Sequence, residues 1–168
     1  QDHRRLPVGQ NWRPPEPGWV KINTDGAMDV DAQNGEGGVA RSHLSFMGAW
    51  SKPFPGVSDP FIAEALALRE GTIFAQLRGF SHVVMETDCL EVVNLWTSGH
   101  NSRSIVAPIF DEIRERSTYF ASFSVRHVMR DANVPADICA KFATSISSSE
   151  CWIEESPGFL VKSRIPRE

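Results

Sequence analysis

The sequence predicts an α/β domain built on a five-stranded mixed sheet, three antiparallel strands followed by two parallel ones, flanked by helices. Two observations carry this reading. Three short alternating segments follow one another between residues 19 and 54 with no helical periodicity between them, which suits hairpin connections. Two further apolar segments, at 81–88 and 120–128, are set apart by helical patterns, which suits crossover connections; the order β-β-β-α-β-α-α-β-α then gives a sheet that is antiparallel on one side and parallel on the other. With 168 residues, 41% of them apolar and 23% charged, the chain is long enough for one such domain and shows no internal repeat.

Each element has its own signal. Residues 19–25 alternate apolar and polar side chains and stop at Gly26, as a strand with one buried face does. Gly35-Glu36-Gly37-Gly38 leads into a strand at 39–46, and Met47-Gly48 turns the chain into another at 49–54, where Pro53 marks an edge or an end. Ile62, Ala65, Leu66, Ile73 and Leu77 recur at helical intervals between Pro60 and Gly79, a helix with a proline start and a glycine stop. Val83-Val84-Met85 centres a buried strand at 81–88, followed by a helix through 91–96 and another over 105–119. A last strand at 120–128 precedes a helix that opens at Asn133-Val134-Pro135 and carries Ile138, Ala140, Phe142 and Ala143. Residues 1–18, with four prolines, read as an extended lead-in, 19–148 as the domain, and 149–168 as a tail that packs on it or trails from it. Trp50 and Trp96 are expected in or beside the core, with Trp12, Trp19 and Trp152 pinning the ends.

The chain carries 17 Lys and Arg against 21 Asp and Glu, a net charge of −4 that argues against a strong non-specific grip on nucleic acid. Any nucleic-acid role has to come from a specific site. Cys89, Cys139 and Cys151 have neither disulfide-framework nor zinc-ligand spacing, which fits a reducing compartment. No run of about 18 apolar residues is present and the start lacks the apolar stretch of a signal peptide, so the expectation is a soluble intracellular protein, nuclear or cytoplasmic, without a membrane partner.

Four acids fall at comparable places: Asp25 and Asp88 close strands, while Glu64 and Asp137 sit in the first turns of helices. In an open sheet, strand ends and helix starts converge on one edge, where ligands bind. Carboxylates crowded there repel and raise one another's pKa unless a cation neutralises them. Oxygen donors without His or Cys beside them suit Mg2+ or Mn2+, and two such ions about 4 Å apart are the arrangement that serves phosphodiester hydrolysis. Plainer readings stand beside this one: Asp25 as a turn residue, Asp88 as a helix N-cap, and Asp137 as a first-turn acid favoured by the helix dipole. Glu64, inside the apolar run Ile62-Ala63-Glu64-Ala65-Leu66, is harder to explain that way.

Five ordered motifs also carry a resemblance: Trp12 through Ala27 ending in Asn23-Thr24-Asp25-Gly26-Ala27, Gly35-Glu36-Gly37-Gly38-Val39-Ala40-Arg41, Ala63-Glu64-Ala65-Leu66-Ala67-Leu68, Glu86-Thr87-Asp88, and His127 through Asp137. Together with the tail from Trp152 to Leu160 they resemble the plant RNase H-like domain of non-LTR retroelement reverse transcriptases and of stand-alone plant proteins. The resemblance implies the ribonuclease H fold and two-metal cleavage of the RNA strand of RNA/DNA hybrids, leaving a 3′-hydroxyl and a 5′-phosphate. It assigns Asp25 to both ions, Glu64 and Asp88 to one and Asp137 to the other, and gives His127, six residues before Asn133, a part in proton transfer or product departure. A strand-end histidine bonded to a neighbour is the plainer reading of His127. Gly26, Asn133, Arg126 and Arg130 are the expected substrate contacts, and Lys21, Arg41, Lys52 and Arg103 are further phosphate candidates.

The sequence departs from that family where substrate is chosen. Pro60 and Phe61 stand in place of an Asn pair that senses the minor groove, Cys89 stands where Ser is usual, and Leu90 where some relatives use Gln. Between Asp88 and Ile105 there is no basic, aromatic-rich protrusion to clamp DNA, so weak affinity for a hybrid or other nucleic acid is expected. The alternative is a domesticated RNase H-like module, weak or inactive in catalysis, that binds nucleic acid or protein. Exonucleases of the same fold carry an Asp-x-Glu in the first strand, which Asp25-Gly26-Ala27 lacks.

Overall fold

In the computed structural model, which describes residues 12–29, 33–99 and 105–162, the chain runs β1 (Val20–Ala27), β2 (Asn34–Arg41), β3 (Phe46–Phe54), α1 (Pro60–Leu77), β4 (His82–Thr87), α2 (Leu90–Ser98), α3 (Ala107–Ser117), β5 (Ser122–His127), α4 (Val134–Ala143), β6 (Glu150–Trp152) and α5 (Gly158–Lys162). The strands form one mixed sheet in the order β5-β4-β1-β2-β3-β6. β1, β2 and β3 pair antiparallel, and β1, β4 and β5 pair parallel, as the alternation of hairpins and helical crossovers requires. None of the described helices is long and apolar enough to cross a membrane.

The sheet has six strands rather than five, because β6 adds antiparallel to β3 through Ala49–Trp152, Trp50–Cys151 and Ser51–Glu150. Three residues, two of them exposed, carry no periodic signal. Their anchor is aromatic: the Trp152 ring lies 5.3 Å from that of Phe159 and 6.0 Å from that of Phe142, and Leu160 is fully buried beyond them. The tail thus covers the free edge of β3, which an unpaired strand would leave open to association.

The glycine run at 35–38 lies inside β2 instead of leading into it, and the hairpin turns at Ser42–Ser45, where the Ser42 N–H donates to the Ser45 carbonyl at 2.9 Å, not at Met47-Gly48. Packing is the reason. A Cβ on Gly35 would come within 2.5 Å of the Ala143 Cβ, and one on Gly37 within 2.6 Å of the Cys139 carbonyl carbon, so these residues let α4 lie directly on the sheet. On the other face α1 covers Ile22, Trp50 and Met85, with Trp50 stacked on Phe74 at 5.1 Å. The start of α1 is built as its sequence announces: Pro60 occupies the first turn and the Asp59 carboxylate accepts from the Phe61 N–H at 2.8 Å. The lead-in joins the domain from Trp12 onward, its indole lying 3.7 Å over the Arg41 guanidinium, and Trp19 packs edge-on to His82.

Glu36 breaks the pattern of an apolar interior. It faces α1 from β2, is 1% exposed, and neither carboxylate oxygen has a hydrogen-bond partner. The neighbouring cations are occupied: Lys52 bonds Glu70 at 2.9 Å, and Arg69 is shared between Glu70 and Glu112. Burial first, and the charge of Glu70 second, push the Glu36 pKa up to about 8, with Lys52 and Arg69 opposing. A carboxyl whose folded pKa lies above its unfolded value binds its proton more tightly when folded. Its stability contribution is therefore intact below the unfolded pKa and is lost as pH rises toward 8. Glu36→Gln should accordingly be more stable than the parent at about pH 8.5, by on the order of 2 kcal/mol, with the gap closing toward about pH 5. Thermal melts across that range check it; a gap independent of pH would contradict it.

Candidate metal centre

β1 and β4 run parallel with Asn23 level with Glu86, and continuing that register by two residues brings Asp25 level with Asp88. α1 crosses the same strand end and delivers Glu64. Its approach depends on Gly26, where a Cβ would sit 3.0 Å from the Ala63 backbone and side chain. The outcome is that one oxygen each of Asp25, Glu64 and Asp88 lie within 4.8 Å of one another. Asp25 is not a turn residue, since β1 continues to Ala27, and Asp88 is not the N-cap of α2, a position that Cys89 holds.

Electrostatically this arrangement is costly. Burial raises the Asp25 pKa, and Glu64, Asp88 and Asp137 add to it. Burial also raises Glu64, and it raises Asp88, which the nearby Arg130 and, less, His127 pull back down. Asp25 and Glu64 lie close enough to share a proton. The Gly26 N–H donates to Asp25 Oδ1 at 3.0 Å, while Glu64 Oε2 is buried without a hydrogen-bond partner. Three converging carboxylates with an unpaired buried oxygen fit a hard divalent cation such as Mg2+ or Mn2+. Cys89 lies next to Asp88, and burial raises its thiol pKa, which works against a thiolate donor there.

Asp137 stands apart from the three. It lies in the first turn of α4, near enough to raise the pKa of Asp25, but its own carboxylate is bonded to Lys141 at 2.9 Å. A groove of about 440 Å3 opens beside the cluster; its lining mixes polar residues, Glu64, Asp88, His127 and Arg130, with apolar ones, Pro60, Phe61, Cys89 and Met129. His127 and Arg130 are exposed, and the His127 ring makes none of the hydrogen bonds seen among the described residues. Arg126 is exposed on the alternate side of β5 and does not line the groove. Asn133 is 1% exposed and bonded to Asn23 and to the Thr24 carbonyl, so its side chain meets no substrate. Gly26 is half-buried; its N–H donates to Asp25 and its missing Cβ admits Ala63. Of the other basic candidates, Arg41 is buried, Lys21 bonds Glu86 and Lys52 bonds Glu70, while Arg103 lies outside the described residues. Met129 and Glu91 line the groove without having been singled out by sequence; both sit where the chain leaves a strand or enters a helix, and no periodicity marks them.

The family model described as "Reverse transcriptase-like" matches residues 23–143. Among solved structures, RNase H1 from the halophilic archaeon Halobacterium salinarum NRC-1 is 24% identical with a TM-score of 0.69, the match covering 76% of this chain and 98% of that one. The N-terminal RNase H domain of a Mycobacterium tuberculosis protein is 20% identical with a TM-score of 0.68, covering 76% and 94%. LC11-RNase H1, solved in complex with an RNA/DNA hybrid, is 19% identical with a TM-score of 0.67, covering 75% and 96%. No curated protein sequence matches the chain. The fold is RNase H-like.

A cation that binds the folded site and not the unfolded chain stabilises by about 2.7 kcal/mol at 100 times its Kd. Mn2+ should therefore raise the melting temperature of the protein, and Asp25→Asn should abolish that rise while the metal-free variant melts no lower than the metal-free parent. Differential scanning calorimetry with and without Mn2+ reads both; an undiminished rise in the variant would place the ion elsewhere.

Proposed function

The chain belongs to the reverse transcriptase-like family, and from that membership we propose that it is a divalent-metal-dependent ribonuclease H cutting the RNA strand of RNA/DNA hybrids. The observation that carries the reading is the gathering of Asp25, Glu64 and Asp88 oxygens within 4.8 Å at the ends of adjacent parallel strands of an RNase H-like fold. Mg2+ or Mn2+ bound there supplies Lewis-acid activation of water and neutralises charge on the scissile phosphate.

The chain's own residues divide the remaining work. Asp25, on the central strand, would serve both ions, Glu64 and Asp88 would hold one, and Asp137, paired with Lys141 in the structure, would hold the other. Arg130, beside Asp88, takes up phosphate charge at the groove, whereas Arg126, exposed but off the groove, meets a phosphate only where the substrate runs past β5. His127 holds a proton at a ring nitrogen for the departing oxygen, a task suited to an exposed imidazole on the groove wall. With few free cations at the edge among the described residues, substrate is held loosely and binding weakens with added salt.

A labelled RNA/DNA hybrid should be cut in Mg2+ or Mn2+, and Asp88→Asn should lower the rate at least about 100-fold, beyond the usual cost of losing a residue that merely supports a metal ligand, while the protein stays folded. A hybrid left uncut in both metals from neutral to alkaline pH would contradict the reading. Two observations favour a second reading, a binding module without turnover: Asp137 is engaged by Lys141, and the groove wall is Pro60 and Phe61 rather than amide side chains. Hybrid that is bound but uncut would be its mark.

A further inference from the structure

On the α4 side of β1, beneath the carboxylate edge, Asn23, Arg41, Glu86 and Asn133 are all 4% exposed or less. Every bond among them has a forced direction. Arg41 can only donate, and its Nη2 reaches Asn23 Oδ1 at 3.0 Å. The Asn23 amide nitrogen must then point the other way, where Glu86 Oε1 lies at 3.2 Å and Asn133 Oδ1 at 3.1 Å. With its oxygen so committed, Asn133 presents its own amide nitrogen to the Thr24 carbonyl at 3.0 Å, one residue before Asp25.

The backbone of Asn133 makes this a junction. Its N–H closes the Arg130–Ala132 3-10 turn on the Arg130 carbonyl at 2.9 Å, and its carbonyl accepts from the Asp137 N–H at 3.1 Å. One side chain therefore ties the turn bearing Arg130 and the helix bearing Asp137 to the strand bearing Asp25. A buried polar cluster is a costly way to fill space, and apolar side chains of similar size would hold the fold as well. Trp12 closes the cluster from outside, its ring 3.7 Å over the Arg41 guanidinium.

We propose that Asn133, and Arg41 acting through Asn23, are positioning residues that latch the β5–α4 connection onto β1 and so set where Arg130 and Asp137 meet the carboxylate edge. Neither side chain reaches the groove. Its activity readout rests on the nuclease reading above; its structural readout does not.

Arg41 and Asn133 share no hydrogen bond and act through one intermediary, so their effects should be non-additive. The test is Arg41→Met, Asn133→Ala and the double variant, assayed for kcat and KM on an RNA/DNA hybrid well below every melting temperature, with amide hydrogen exchange of residues 128–137 followed in parallel. Each single variant is expected to lower kcat roughly tenfold with a smaller change in KM, the double no further than the worse single, and exchange to quicken in 128–137 but not in α1. Multiplying effects on kcat, a lowered melting temperature with kcat intact, or unchanged exchange in 128–137 would each overturn the latch. If the parent does not cut the hybrid, the nuclease reading fails and exchange decides the latch alone: quickening in both singles without further gain in the double supports it, and its absence overturns it. Should a variant not fold, Arg41→Lys and Asn133→Ser take their places and are read the same way.

Discussion

Like charges forced together at the end of two parallel strands are the constraint around which this protein is arranged. Asp25, Glu64 and Asp88 converge on one point, and burial raises the pKa of all three. Holding them there takes a glycine at 26 so that α1 can close, a parallel pairing of β1 with β4 up to Asn23 and Glu86, two residues short of Asp25 and Asp88, and a cation, Arg130, beside the most exposed of the three. A fold free of a chemical task would separate these groups or make one of them apolar. Their persistence in a well-packed sheet is what makes a metal centre the economical explanation.

Charge is distributed to the same end. Setting aside the four acids first marked by position, the chain has as many basic as acidic residues, so its excess of acids over bases equals those four in number. Most basic residues of the strands are spent inside the domain, Lys21 on Glu86, Lys52 on Glu70 and Arg41 on Asn23. The basic groups that line the groove are His127 and Arg130, beside the carboxylates of Glu64, Asp88 and Glu91 and the apolar Phe61 and Met129.

The site was more legible in the sequence than its supports were. Asp25 and Asp88 end periodic runs and Glu64 interrupts one, so each stands out against a pattern. Asp137 was equally legible as a position, but its engagement with Lys141 depends on a side-chain choice that position does not reveal. The glycines of β2 were misread as punctuation because close packing against α4 and a turn demand the same residue. β6 escaped notice since three residues held by aromatic contacts have no period. Arg41 and Asn133 were taken for surface contacts because a charge at a strand end and an amide before a helix look the same whether buried or exposed; only the tertiary structure, with Trp12 over one and β1 under the other, tells them apart.

The central claim is that the strand-end carboxylates exist to hold a divalent cation. Crystals grown with Mn2+ and measured for anomalous scattering test it most directly. A peak bounded by Asp25, Glu64 and Asp88, at the roughly 2.0–2.2 Å from carboxylate oxygens expected of a hard divalent ion, is the predicted result. A fully ordered site with no peak at saturating Mn2+ would contradict it.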